Sequence, residues 1–535
     1  MATISPIVPI PLPVNGVLAD QSLRLIGSSG LADAYNWIYR NGRFVNRDGL
    51  VRKTTAQFKY GDPLVYERPM GITTYGTDIE TQSVVVGTDK GWWVLNTDGS
   101  LTDITDRTDE LTASLKTEQV VFRIIDCAAP GVSGTAPILI GVNGNDTAKY
   151  WAGDPDVDYD EVLDGADTIV AKSLISIFNR IVYLNVTVGG YNYPDGLVYT
   201  NYLTFNDWSA TNTIRLADTP GYIVGGMEFG NMMAAIYKSD AIYLCSAIGQ
   251  PNAPFRFDLK VANIAGPVSP LAIVPISSGM HIYLGKDGDV VMFDGANIRS
   301  LGPHIHAHFQ KYMDFEKADM AFGFYDYARK ELYFVFPPYN STDCNNAVLI
   351  NFTNPSMPTL WPLHYPVNFG AGRVVMLNQS KTIGGLAGTI GGLEGAIGDF
   401  GSYTPVPMLG TAIDTTVESH LYTTTGVDDN GTAIQHYLRT GWYDLGETTR
   451  WKTLKEIDHL FNRSDGQVVS VELCVSTSGE NADLTTPQTI TLNEGPYKTY
   501  HRSTGRLFAL IYSGSCNDEV EWLGAEAAVK LRGRR

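Results

Sequence analysis

Residues 279–302 constrain the fold of this chain most strongly, because two Asp-Gly pairs divide them into short apolar runs. Met280–Leu284 alternates in hydropathy, Asp287-Gly288 interrupts, and Val290–Phe293 resumes before Asp294-Gly295. Hairpin turns that match the twist of their strands need positive φ angles, which glycine adopts at little steric cost. The segment therefore predicts three strands joined by two tight turns.

The same order of strands and turns recurs along the middle of the chain. The clearest copy spans residues 84–104, and weaker copies begin at residues 138, 180, 233 and 322. Their spacing of about 40 to 55 residues is typical of four-stranded propeller blades. We therefore expect a β-propeller-like domain, with a pair of β-sandwiches as the alternative.

Composition and the C-terminal pattern favour an all-β class. The chain has 54 glycines and 29 tyrosines and few helical stripes. Residues 468–476 alternate in hydropathy, and residues 506–514 are apolar on both faces, as in a central strand. We predict an extended arm and basic hairpin over residues 1–55, a propeller-like domain over 56–405 and a small antiparallel β-sandwich or platform domain over 406–535.

Charge and cysteine content argue against several classes of protein. The net charge of −18 disfavours a protein that grips nucleic acid through its phosphates, although an acidic wall would let DNA slide past without sticking. The sequence shows neither an apolar run of about 18 residues nor a secretory signal pattern, so we expect folding in a cytoplasm. Five scattered cysteines predict small buried side chains rather than disulfides or a zinc site.

A local excess of positive charge marks the N-terminal hairpin. Its basic residues are Arg40, Arg43, Arg47, Arg52 and Lys53. One interpretation is a solvated hairpin edge protected by its charges. The other is a docking edge for an acidic partner or a neighbouring subunit, which predicts that Arg40→Glu, Arg43→Glu and Arg47→Glu leave the monomer folded but impair assembly.

Two clusters have residue types that bind metals. Asp154, Asp156, Asp158 and Asp160 alternate, but the loop lacks the glycine and glutamate spacing of a helix-flanked calcium site, and a solvated acidic loop is the alternative. His304, His306 and His308 would share one face of a strand but not of a helix, and Pro303 favours a helix. We assign no metal, cofactor or catalytic residue.

A glycine-rich segment over residues 383–403 repeats every seven residues. Glycine loses more backbone entropy on ordering than other residues, so we expect a long connection or gating loop rather than a blade strand. Its apolar anchors are Ile383, Leu386, Ile390, Leu393, Ile397 and Phe400.

Motifs at both ends and in the centre resemble a known family. They are RNGRFVNRDGL, GKDGDVVMFDG, FGFYDYARKELYFVFPP, RLFALIYSG and EWLGAEAAVKLRGRR. They resemble structural tail proteins of double-stranded DNA bacteriophages, nearest to the tail nozzle or hub proteins of short-tailed phages. The resemblance implies a β-propeller on a β-rich platform and a homohexameric ring below the portal and adaptor. Such a ring encloses the DNA ejection channel in the virion tail and docks a needle, plug or fibres.

Three functions remain open at this stage. The first is the non-enzymatic tail protein, assembled in the host cytoplasm. The second is a propeller glycosidase that degrades capsule or sialic acid, which needs paired carboxylates or a tyrosine nucleophile with an arginine cluster. The third is a receptor-binding module of the tail, with exposed aromatic side chains as sugar platforms.

Overall fold

In the computed structural model the regular secondary structure is almost entirely β-strand, which confirms the all-β prediction of a propeller-like repeat with an antiparallel sandwich. In the described part of the chain, no helix has the length and apolar character needed to span a membrane. The structure describes the chain outside residues 1–5, 62–63, 77–81, 114, 129–134, 165–166, 209–211, 251–252, 353, 355–357, 379–402, 412–418, 447–448, 463–465, 480–481, 494, 496 and 533–535.

Seven short strands precede the first blade. They are β1 Ile7–Ile10, β2 Leu31–Tyr35, β3 Trp37–Arg40, β4 Arg43–Asn46, β5 Gly49–Arg52, β6 Lys59–Tyr60 and β7 Val65–Tyr66. β3 and β4 form the predicted hairpin. Its turn residues, Asn41 and Gly42, have φ angles of 50° and 86°, as a tight hairpin turn requires.

Five antiparallel sheets follow, each formed by strands that are consecutive in sequence. Blade 1 contains β8 Pro69–Tyr75, β9 Ser83–Thr88, β10 Trp92–Leu95 and β11 Leu101–Asp103. Blade 2 contains β12 Val121–Ala128, β13 Thr135–Val142, β14 Lys149–Trp151 and β15 Asp160–Glu161. Blade 3 contains β16 Leu163–Asp164, β17 Asp167–Ile177, β18 Arg180–Val188, β19 Tyr191–Tyr199 and β20 Thr213–Arg215. Blade 4 contains β21 Ile223–Glu228, β22 Met233–Lys238, β23 Ala241–Gln250 and β24 Ala253–Ala262. Blade 5 contains β25 Ile273–Ser277, β26 Met280–Leu284, β27 Val290–Phe293 and β28 Ile298–Ser300, so residues 279–302 form its outer part.

The α-helix α1 Pro303–Tyr312 and a short 3₁₀ helix, Phe315–Met320, lie between blade 5 and a seven-stranded sheet. That sheet contains β29 Phe322–Asp326, β30 Glu331–Phe336, β31 Cys344–Asn351, β32 Thr359–Asn378, β33 Tyr403–Thr411 and β34 Leu421–Gly426, followed by β5. β32 is 20 residues long, and its two halves have different partners. Residues 359–364 pair with β31, whereas residues 371–378 pair with β33. The sheet is therefore two blades joined by a continuous strand.

Blade 6 is β29, β30, β31 and the first half of β32, and blade 7 is the second half of β32 with β33, β34 and β5. The innermost strands of blades 1 to 6 start at residues 69, 121, 167, 223, 273 and 322. In blade 7, the pairing of the second half of β32 with β33 starts at residue 369. Ala371 and Met408 of blade 7 pack against Ile72 and Val86 of blade 1. The ring of seven blades is thus closed by an N-terminal strand.

The remaining strands form the sandwich. They are β35 Ile434–Thr440, β36 Lys452–Phe461, β37 Val468–Ser476, β38 Asp483–Leu484, β39 Gln488–Thr491, β40 Tyr497–Gly505, β41 Leu507–Cys516 and β42 Glu521–Leu531. One sheet has the order β3-β4-β42-β36-β40, with β1 also on β42. The other has the order β2-β35-β41-β37-β38, with β39 also on β37. β41 is central, as its two apolar faces predict, and Val469, Val471 and Leu473 are fully buried.

The strand pairing divides the chain differently from the predicted ranges. β1 to β4 belong to the sandwich rather than to a separate arm, and β5 belongs to blade 7. The boundary expected after residue 405 falls inside β33, which is a propeller strand. Such pairings depend on which sheet edges meet in space, and sequence periodicity carries no signal for that.

The hydrophobic core is continuous from the sandwich into blades 5 and 6. Phe44 of β4 lies between Trp522 of the sandwich and Trp361 of blade 6, with ring centroids 5.5 Å and 5.6 Å away. All three side chains are fully buried. Aromatic pairs at this distance add to the free energy gained from burial, so Phe44 joins the two parts of the molecule. The five cysteines are also buried and unpaired, as predicted.

Candidate functional site

The arginine-rich hairpin lies at the joint between the sandwich and the propeller. Arg40 donates two hydrogen bonds to the carboxylate of Glu331 in blade 6, at 2.7 Å and 2.8 Å, and a third to Asp48 at 2.9 Å. Arg43 forms an ion pair of 2.8 Å with Glu521 of β42 and stays partly exposed. Both guanidinium groups are therefore matched to acidic groups of their own chain.

Arg47 is buried more deeply than a contact residue should be. Its guanidinium pairs with both carboxylate oxygens of Asp429, at 2.8 Å and 2.5 Å, and only 2% of its side chain is exposed. It also donates to the Asn36 side chain and the His364 carbonyl, and it lies 4.2 Å from the centroid of the Tyr365 ring. Arg47→Glu would place a second carboxylate against Asp429 without solvent. Contrary to the prediction from the sequence, we therefore expect this replacement to destabilise the folded monomer.

The other two basic residues of the predicted contact lie on blade 7. Arg52 ends β5 and Lys53 follows it, and both side chains are exposed. The backbone N–H of Lys53 donates to the carbonyl of Leu421 at 2.8 Å and extends the pairing that closes the ring. Among the five residues, Arg52 and Lys53 are thus the ones whose side chains are most accessible to a neighbour.

The predicted glycine-rich connection lies outside the described residues. Ile383, Leu386, Ile390, Leu393, Ile397 and Phe400 all fall between residues 379 and 402. The described chain on either side is the paired end of β32 and β33.

The histidine cluster does not converge, because it lies on a helix. His304 and His306 donate from Nε2 to the carbonyls of Pro358 and Asp287, at 3.2 Å and 3.0 Å. His308 is buried and packs on the Tyr312 ring, and burial lowers its pKa to about 3. Residues two apart on a helix point in different directions, so the three imidazoles have separate partners.

The acidic loop forms local turns. The Asp154 carboxylate accepts a hydrogen bond of 3.0 Å from the backbone N–H of Asp156, and Asp160 accepts one of 2.8 Å from Glu161. Within the part of the chain that the structure describes, no three His, Cys, Asp or Glu side chains are grouped so as to hold a metal ion.

A cavity of about 510 Å³ lies at the centre of the propeller. Its wall comes from the inner strands of six blades: β8, β12, β21, β25, β29 and the second half of β32. This volume falls within the range of about 300 to 1,000 Å³ that is usual for small-molecule sites. The charged side chains among its described lining residues are Arg123, Glu228 and Arg373.

Arg123 and Glu228 neutralise each other across blades 2 and 4. The Nε of Arg123 donates to Glu228 at 2.7 Å, and its other nitrogens donate to the carbonyls of Phe122 and Gly226. The same carboxylate oxygen of Glu228 accepts from the backbone N–H of Ser176 at 2.8 Å. Each nitrogen of the Arg123 guanidinium and one carboxylate oxygen of Glu228 are thus engaged by protein atoms.

Arg373 differs from Arg123 because no described residue forms a hydrogen bond or ion pair with its guanidinium. It projects from the inner strand of blade 7, where its backbone pairs with Met408, and its side chain remains exposed within the cavity. The inner strands around the cavity partly desolvate this guanidinium, and the positive charge of Arg123 adds to the effect, so the pKa of Arg373 lies below its ordinary value.

Sequence reasoning missed this set of residues. Arg123 interrupts an apolar run in VFRII, and Arg373 does so in GAGRVVML. A charged residue within an apolar strand was the available signal, because such a residue must either pair or face an open space. Which strands surround that space depends on ring closure.

Comparisons with known proteins add little. No family model matches the chain, and no curated protein matches it. A crystal structure of the computationally designed Ika8 protein is similar over 51% of this chain and 74% of the designed chain, with 13% sequence identity and a TM-score of 0.27. A likeness at this level supports no statement about fold or function.

Proposed function

We propose that this chain is a non-enzymatic structural protein of a bacteriophage tail. In this role it forms the ring-shaped nozzle or hub below the portal and adaptor, encloses the DNA ejection channel and docks a needle, plug or fibres. The proposal originates in the resemblance of its terminal and central motifs to short-tailed phage proteins. A propeller mounted on a β-sandwich is the architecture that this resemblance implies.

The observation that carries the proposal is the way in which the two parts are locked together. The N-terminal strands complete both the sandwich and the last blade, and the core runs through the joint. Arg40, Arg47 and Phe44 add ion pairs and aromatic contacts there. A part that must keep its shape while DNA passes under pressure needs such a stiff connection, because inter-domain motion is the default where an interface is small and polar.

The charge of the chain fits the same role. A net charge of −18 opposes lasting contacts with phosphate, so DNA could pass an acidic wall without being held. Assembly as a homohexamer in the host cytoplasm and residence in the virion tail are parts of the proposal.

The glycosidase hypothesis receives no comparable support. Hydrolysis needs two carboxylates flanking the sugar bond, or a tyrosine nucleophile with an arginine cluster. Tyr327 shares the central cavity with Arg123 and Arg373, but its hydroxyl donates to the Pro275 carbonyl. Among the described residues that line the central cavity, Glu228 is the one carboxylate, and Arg123 and Ser176 already engage it.

The state of assembly of the purified chain tests the proposed function. Light scattering and electron microscopy should show a closed ring, formed by the chain alone or on addition of the portal and adaptor proteins of the same virus. Arg52→Glu combined with Lys53→Glu, which changes exposed charges on blade 7, tests whether that surface contacts a neighbour. A protein that stays monomeric under all these conditions would contradict the proposed ring.

A further inference from the structure

The charge inside the propeller is opposite to that of the whole chain. Two arginines and one glutamate face the central cavity among the described residues, while the chain carries a net charge of −18. The Arg123–Glu228 pair is internally neutral, so Arg373 gives the described lining a net positive charge and has no ion-pair partner of its own among the described residues.

A guanidinium without an ion-pair partner inside this cavity lowers the stability of the fold. Arg373 is surrounded by the inner strands, and Arg123 is near enough to repel it. Partial desolvation and a neighbouring like charge both destabilise a cation. An anion placed in the cavity would relieve both effects, and the side chain has free donors for it because no described residue uses them.

We infer that the central cavity binds a small oxyanion, held mainly by the guanidinium of Arg373. The fork of N–H donors on arginine matches the geometry of a carboxylate or a phosphate, so these two groups define the ligand class. The volume of about 510 Å³ is enough for an organic acid as well as for an inorganic ion.

The remaining lining favours an organic acid with an apolar or sugar-like body. Tyr327 borders the same cavity with 56% of its surface exposed, and its hydroxyl is fixed by donation to the Pro275 carbonyl at 3.1 Å. Tyr327 and Arg373 both line this cavity. A fixed aromatic ring beside a guanidinium is suited to a ligand with both a carboxylate and a flat or CH-rich face.

Calorimetric titration of the full chain in a chloride buffer tests the inference. The probes are sodium phosphate, sodium glucuronate and, as a neutral control, glucose. We expect phosphate, glucuronate or both to bind in a saturable way and glucose not to bind. Binding of phosphate alone would identify an inorganic oxyanion, and binding of glucuronate alone a carboxylate ligand.

Matched variants locate the binding. Arg373→Gln should weaken it about tenfold or more, because hydrogen bonds to charged groups are lost. Arg373→Lys keeps the charge but not the forked arrangement of N–H donors, so its affinity should lie between those of wild type and Arg373→Gln. Arg256→Gln removes one positive charge from an exposed side chain of blade 4 and should leave binding unchanged.

The thermal stability of the same variants separates binding from a structural role. Without added oxyanion, Arg373→Gln should melt no lower than wild type, because it removes an unpaired charge, and added ligand should raise the Tm of wild type but not that of the variant. No saturable binding of either anion, or equal weakening by Arg373→Gln and Arg256→Gln, would overturn the inference.

Discussion

At the scale of single residues, the joint depends on groups that solvent hardly reaches. Arg47 donates hydrogen bonds to Asp429, to Asn36 and to two backbone carbonyls. The side chain of Arg43, four residues earlier, is 40% exposed. Ion pairs of these two kinds have different energetic consequences. Breaking a buried pair leaves a charge without solvent, whereas an exposed pair is partly replaced by water.

Arg47→Ala should therefore lower the free energy of unfolding by about 3 to 5 kcal/mol. Arg43→Ala, the matched control in the same hairpin, should cost less than about 1 kcal/mol. Urea unfolding of both variants measures the difference. Asp429→Ala combined with Arg47→Ala should be less destabilising than the sum of the two single changes, because the two side chains form one unit. Equal costs for Arg47→Ala and Arg43→Ala would contradict the structure.

Buried histidines make the stability depend on pH. His459 is 1% exposed and lies 2.8 Å from both the Tyr512 hydroxyl and the Thr499 hydroxyl. Burial lowers its pKa to about 3, from an ordinary value of 6.5. Between pH 6.5 and pH 3, His459 therefore binds a proton in the unfolded chain but not in the folded chain. The stabilisation is complete above pH 6.5 and is lost as the pH falls toward 3.

His459→Gln should reduce this dependence. Between pH 7.5 and pH 5, wild type should lose about 2 kcal/mol more of its unfolding free energy than the variant does, since one proton changes the slope by about 1.4 kcal/mol per pH unit. Urea unfolding at the two pH values measures it. Equal losses of unfolding free energy in both proteins would show that His459 is already protonated in the folded state at pH 5.

At the scale of elements, hairpins were predictable and their partners were not. The Asp-Gly pairs at 287–288 and 294–295 turn as expected, with φ angles of 84° at Gly288 and 88° at Gly295. The alternation in hydropathy also correctly predicts a buried face of β37. Blade 7 escaped prediction because one of its strands is half of β32 and another comes from the N terminus. The same limit applies to Arg123 and Arg373, which meet only after the ring closes.

Closure by β5 can be tested at Lys53. Lys53→Pro removes the N–H that donates to the Leu421 carbonyl and should cost about 1 to 3 kcal/mol, because a buried carbonyl loses its partner. Lys53→Ala removes the same charge but keeps the N–H, and should change stability by less than about 0.5 kcal/mol. Hydrogen exchange in β33 and β34 should quicken only in the proline variant. If the two variants behave alike, the backbone pairing at this position does not help to close the ring.

At the scale of the whole molecule, the shared core makes sandwich and propeller one unit. Phe44 and the strands around it bury apolar surface against both parts. Differential scanning calorimetry should therefore show a single unfolding transition for wild type. Phe44→Ala should cost about 3 to 5 kcal/mol and divide the transition into two, because it removes the ring between Trp361 and Trp522. Two transitions in wild type would mean that the parts unfold independently.

The pairing of the first strands with the last has a consequence for synthesis. Arg43 and Glu521 are 478 residues apart in sequence. β4 pairs with β42 and cannot join its sheet before β42 has been synthesised. At the usual rate of translation, roughly 20 to 100 s separate the two ends. During that time Trp37, Phe44 and their neighbours leave the ribosome as apolar, unpaired edges, which are prone to aggregate. We therefore expect the yield of folded chain to fall when the chaperones of the cell that makes it are overloaded.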